Sequence, residues 1–106
     1  MTIIIDECLP KRLTQFFPNA HVYTVPQMDL GGTKDTELLN ILDSKKIDVF
    51  ITIDGNIEYQ QQFKERVFGT IVIRSVSNRF SDLVHLEEMI VQATNNIQKG
   101  EIIRIP

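Results

Sequence analysis

Val49-Phe50-Ile51-Thr52-Ile53-Asp54-Gly55-Asn56 is the stretch on which the reading of the fold turns. From Val49 to Ile53 it shows no polar alternation, the pattern of a strand buried on both faces of a parallel sheet. The run stops at an acid, Asp54, followed by a turn signal at Gly55. Near the start of the chain Thr2 to Ile5 has the same character, β-branched and apolar, and it stops at Asp6-Glu7. Asp6 and Asp54 therefore hold equivalent places, each at the carboxyl end of a buried strand.

Working outward, Leu9, Leu13, Phe16 and Phe17 recur at helical spacing, with Pro10 tolerated in a first turn and Pro18 closing the segment. A short amphipathic helix is expected there. His21 to Val25 reads as a strand that stops at Pro26, and Met28 to Thr33, with Gly31-Gly32, as a loop. Thr33 can cap a helix with Asp35 and Glu37 in its first turn and Leu38, Leu39, Ile41 and Leu42 on its buried side. A polar segment from Ile57 to Arg66 that can form a helix leads to Gly69 and a strand from Thr70 to Ile73. Ser81 can cap a last helix whose stripe Leu83, Leu86, Ile90, Ala93 and Ile97 ends at Gly100, before a final strand from Ile102 to Ile105. Strands alternate with helices throughout, which predicts an α/β fold: a three-layer domain with a mainly parallel central sheet and helices on both faces.

The 106 residues fit one domain, spanning 1–106, and 42% hydrophobic with 24% charged residues is ordinary globular usage. A net charge of -3 supplies no general attraction to nucleic acid or an acidic membrane, so a phosphate-bearing partner would need local cations or a metal. Cys8 stands alone, which excludes an intramolecular disulfide, and no apolar run approaches the roughly 20 residues of a membrane span. The expectation is a cytoplasmic protein. A buried structural thiol is favoured for Cys8 over a nucleophile.

In open α/β sheets ligands sit outside the carboxyl ends of the strands, where Asp6 and Asp54 fall. Carboxylates gathered from separate strands and a helix start suit a hard divalent cation such as Mg²⁺ or Mn²⁺. Asp35 is the third candidate; Asn56 could add an amide oxygen or hold a water, with Glu37 and Glu58 as substitutes. Like charges in one pocket destabilise the free protein unless a cation or shared proton compensates. Such a metal would make phosphodiester hydrolysis feasible by activating water and stabilising the leaving oxygen. Lys11, Arg12, Lys34, Arg74 and Arg79 are the cations placed to guide phosphates. Against this, an aspartate after a strand is also a common turn residue, a first-turn acid needs no function beyond the helix dipole, and Asn56 can serve a turn.

The segments Ile3-Ile4-Ile5-Asp6-Glu7-Cys8-Leu9-Pro10, Thr33 to Leu38 and Phe50-Ile51-Thr52-Ile53-Asp54 together resemble the PIN-like nucleases. The likeness is to their short single-domain branch, often encoded as the toxin of bacterial toxin–antitoxin pairs, and extends through Gly69 to Arg79 and the Gly100-Glu101 tail. The resemblance implies a metal-dependent endoribonuclease acting on RNA, with Asp6, Asp35 and Asp54 as its catalytic, metal-binding acids. It also implies a small antitoxin protein as partner; self-association into a homo-oligomer stays open. Where many relatives carry a further aspartate two residues past the strand-end acid, this chain has Asn56, which puts the fourth ligand in question.

Two rival readings belong beside it. A phosphorelay receiver also places paired acids after its first strand and a phosphorylated aspartate after a later one, which Asp6, Glu7 and Asp54 could imitate. Ser75 or Ser77 could supply its hydroxyl, but Ile102-Ile103-Arg104-Ile105-Pro106 offers no lysine before proline. The other rival is a PIN-like module without catalysis that binds protein or RNA, motivated by Asn56 and the negative charge. His21 and His85 lack ligand-spaced partners, the phenylalanines are dispersed as packing residues, and Glu58-Tyr59-Gln60-Gln61-Gln62 reads as an exposed helix face.

Overall fold

The computed structural model describes residues 1–57, 63, 65–75 and 77–106. Among these, five strands form one sheet: β1 (Thr2–Ile5), β2 (His21–Thr24), β3 (Val49–Thr52), β4 (Gly69–Ile73) and β5 (Ile102–Ile105). All four neighbouring pairs are parallel, in the order β2-β1-β3-β4-β5. The three central strands are those without polar alternation; β3 and β4 are buried at every position, as expected where both faces of a parallel sheet are covered.

Side-chain alternation sorts the core into two layers. Ile3, Ile5, Val49, Ile51, Ile71 and Ile73 face one side, where Leu9, Leu13, Phe16, Leu83, Leu86 and Ile90 cover them. Ile4 and Phe50 face the other, against Leu38, Leu39, Leu42, Ile57, Phe63 and Phe68. The expected three-layer α/β arrangement is therefore present. Helix α1 (Asp35–Ser44) covers the second face, and α2 (Phe80–Leu83) with α3 (Glu87–Asn96) covers the first.

Several local expectations are corrected. The segment after β1 is a 3-10 helix, Lys11–Phe16, with Pro10 at its N-cap, a tighter winding of the kind used for short connecting pieces. β2 ends at Thr24 because Val25 turns into the right-handed helical region and opens a second 3-10 turn, Pro26–Met28. Thr33 does not cap α1; Lys34 stands at the N-cap without a side-chain cap. β3 ends at Thr52, one residue short of Ile53. Ser81 lies inside α2 and caps nothing; the last helical stretch breaks into α2, a 3-10 turn at Val84–Leu86, and α3. The Glu58 to Gln62 face lies outside the described residues. Among the described residues no helix is long and apolar enough to cross a membrane.

Candidate functional site at the carboxyl ends of β1 and β3

The strand order reverses direction between β1 and β3: β2 lies on one side of β1, while β3, β4 and β5 follow on the other. Such a switch point opens a crevice at the strands' carboxyl ends. Asp6 continues the β1 ladder by one bond, its N–H donating to the Ile51 carbonyl at 2.9 Å, which brings it beside Thr52. Alternation from Ile4 and Phe50 puts Asp6 and Thr52 on the α1 face of the sheet.

Thr52, fully buried, links the two strand-end acids. Its hydroxyl donates to Asp6 Oδ2 at 2.7 Å and accepts the Asp54 N–H at 3.0 Å. Asp6 is 8% exposed, and its other oxygen accepts the Glu7 N–H at 2.8 Å. A buried carboxylate needs such donors to remain charged at tolerable cost. Asp54 Oδ1 accepts the Asn56 N–H at 3.0 Å, a side-chain-closed turn, so the backbone of Asn56 serves the turn while its side chain is exposed.

Asp35, the first residue of α1, completes the group. Its carboxyl is held above the usual aspartate range by partial burial, then by the charge of Asp54, then by that of Asp6. The structure thus brings the three sequence-selected acids into one electrostatic neighbourhood, drawn from a strand end, a helix start and a second strand end. Among the described residues no three acidic, histidine or cysteine side chains stand together at metal-holding geometry. The donor set nonetheless has the chemistry of a hard-cation site: only carboxylates, one of them already resisting ionisation beside the other two.

The cations are more scattered. Lys11 lines a small cleft of about 310 Å³ with Glu7, Leu9, Thr24, Pro26 and Gln27. Arg12 lies over the Phe80 ring at 4.2 Å, a packing role that the sequence did not announce. Lys34 borders a groove of about 490 Å³ along the exposed side of α1, with Glu37 on the same groove. Arg74 is exposed just after β4, its N–H bonded to the Ile105 carbonyl at 2.7 Å. Arg79 lines an open cleft of about 590 Å³ with Ile53, Ser75, Ser77, Asn78 and Asp82. Of these clefts, this one adjoins Asp54 through the preceding residue, Ile53. Glu58 lies outside the described residues.

Cys8 is half-buried, with Sγ 3.5 Å from Asp6 Oδ2 and 3.7 Å from Thr52 Oγ1. Burial pushes its thiol up, and the Asp6 charge adds to that, so the reactive thiolate is disfavoured. His21 and His85 are exposed. Residue-type reasoning missed Thr52, and it named Glu7 only as a receiver-like acid, without its bonds to Gly32. The signal for Thr52 was a lone hydroxyl in an otherwise apolar buried strand; for Glu7 no local signal existed, because its partner lies 25 positions away.

The fold and site define an open parallel α/β sheet with an acidic cluster at its switch point. Comparison of the chain with protein-family models, curated proteins and solved structures returns no match.

Proposed function

We propose that the protein is a metal-dependent endoribonuclease in which Asp6, Asp35 and Asp54 hold Mg²⁺ or Mn²⁺ at the switch point. The observation that carries this reading is the Thr52 bridge between Asp6 and Asp54 at the switch point, with Asp35 on α1 near enough to feel both charges. A divalent cation there would remove that mutual repulsion by drawing the three carboxylates inward. When bound, such an ion supplies Lewis acidity toward a phosphodiester oxygen and a water of lowered pKa.

The chain's own residues supply the positioning. Thr52 fixes Asp6 in one orientation, and the Asn56 turn orients Asp54 while its Oδ2 has no hydrogen-bond partner among the described residues. Arg79 makes no ion pair among the described residues, so it can neutralise a phosphate in the adjoining cleft. An RNA substrate and a toxin role with an antitoxin partner rest on the sequence resemblance to PIN-like nucleases.

The test is cleavage of single-stranded and structured RNA with Mn²⁺, Mg²⁺ or EDTA, alongside Asp6→Asn and Asp54→Asn proteins. Metal-dependent cleavage that both variants lose is the expected result. Folded protein that leaves RNA intact at every metal level refutes it. One observation favours a second reading: the strand order β2-β1-β3-β4-β5 is also that of phosphorelay receivers, with Asp54 after the third strand. Labelling of Asp54 by acetyl phosphate would select it, although a receiver gives no role to Asp35.

A further inference from the structure

We propose that Glu7 is a positioning residue that holds Asp35 against the strand-end acids by gripping the Gly31-Gly32 turn leading into α1. The proposal rests on the metal-site reading above and adds a residue that it does not use.

Glu7 is bonded at both ends. Its backbone N–H donates to Asp6 Oδ1 at 2.8 Å, and its carboxylate accepts the Gly32 N–H through Oε1 at 3.2 Å and Oε2 at 3.1 Å. One residue therefore joins the Asp6 carboxylate to a turn three positions before Asp35. The turn is built for the contact. Gly32 sits at φ 78°, in the left-handed region that favours glycine, and that conformation turns its N–H to the Glu7 carboxylate.

The start of α1 needs such a hold. Lys34 stands at its N-cap with no side-chain hydrogen bond, so no cap of its own fixes the first turn. The loop before it is closed by internal bonds, Leu30 N–H to the Val25 carbonyl and Thr33 N–H to the Leu30 carbonyl. The loop's near end is fastened to β1 by the Val25 N–H, which donates to the Ile5 carbonyl at 2.9 Å; the Glu7 to Gly32 pair adds a tie at its far end, next to α1. Asp35 opens α1 three residues beyond Gly32, so a tie at Gly32 limits how far that end of the helix can move.

Two substitutions separate positioning from charge. Glu7→Gln removes the charge but keeps an oxygen that reaches Gly32, whereas Glu7→Asp keeps the charge and is too short to reach. Glu7 is exposed, so both proteins should fold. The probe is Mn²⁺ alone, titrated by the paramagnetic resonance of the free ion, with Gly32 amide exchange followed by NMR. The expected result is Mn²⁺ affinity within about threefold of wild type for Glu7→Gln, the effect of one exposed charge in water. For Glu7→Asp the expected loss is about tenfold or more, as for other residues that orient metal ligands, with faster Gly32 exchange.

Wild-type affinity in Glu7→Asp overturns the proposal, as does a loss in Glu7→Gln as large as in Glu7→Asp, which would make Glu7 itself a ligand. Should wild-type protein show no Mn²⁺ binding that Asp6→Asn abolishes, the metal reading fails, and the metal role of Glu7 with it. That outcome is distinct from wild-type binding that ignores Glu7.

Discussion

Replacing Thr52 by valine tests the joint between the two strand-end acids. Valine has nearly the same shape, so the buried strand keeps its packing while the hydroxyl disappears. Asp6, at 8% exposure, loses the donor at 2.7 Å on Oδ2, and the Asp54 N–H loses its acceptor at 3.0 Å. A hydrogen bond to a charged group contributes about 1.5–3 kcal/mol and a neutral one about 1 kcal/mol. The added apolar burial of valine returns about 1 kcal/mol. The net expectation is a loss of about 2 kcal/mol, which in a domain of this size lowers the melting midpoint by about 8–16 °C. Thr52→Ser is the control: it keeps the hydroxyl and removes one methyl, at a cost of about 1 kcal/mol. Urea unfolding of wild type, Thr52→Val and Thr52→Ser, and a cycle with Asp6→Asn, measures the bond directly. Thr52→Val at least as stable as Thr52→Ser, or a coupling to Asp6→Asn indistinguishable from zero, would refute the reasoning.

Asp35 has a folded-state pKa above its unfolded value, so its ionisation is costlier in the folded chain; stability is whole below the ordinary value of 3.8 and lost as pH rises through the folded pKa. In EDTA, the stability of wild type minus that of Asp35→Asn should accordingly fall as pH rises through that acidic window and then level off; a flat difference contradicts the shared field. Mn²⁺ at 100 times its dissociation constant should stabilise wild type by about 2.7 kcal/mol. Scanning calorimetry should read this as a rise of about 10–20 °C, absent in Asp6→Asn and Asp54→Asn. Gly69→Ala should lower stability by about 1–3 kcal/mol in urea, because the new Cβ would lie 2.7–2.9 Å from the Ile97 side chain.

The layers of the fold were legible because burial on two faces leaves a coarse signature: Thr2 to Ile5, Val49 to Ile53 and Thr70 to Ile73 admit no polar alternation, and the helical segments between them fit that pattern to a covered parallel sheet. Element ends were less so. Thr33 and Ser81 have the composition of caps, yet Lys34 and Arg79 occupy the N-cap positions, because where a helix starts depends on how it docks to the sheet as well as on which residue could bond its first turn. Helix type was hidden for the same reason. Leu9, Leu13 and Phe16 have helical spacing, but 3-10 and α geometry serve that short buried stripe equally until the prolines at both ends constrain it.

At the site, legibility divides between backbone and side chain. A strand-end acid is placed by its strand, so Asp6 and Asp54 could be read from sequence, and Asp35 from its helix start. What orients them depends on contacts across the sheet. Thr52 reaches Asp6 over 46 positions and Glu7 reaches Gly32 over 25, separations that no local pattern records. The same division bears on Asn56. Its N–H closes the Asp54 turn, a bond that asparagine and aspartate make equally well because it belongs to the backbone. Asparagine at this position therefore leaves the Asp54 turn intact, with its own side chain exposed and uncharged. Under the proposed metal reading, an uncharged residue there gives up some cation attraction but adds no further carboxylate to the field that already raises Asp35.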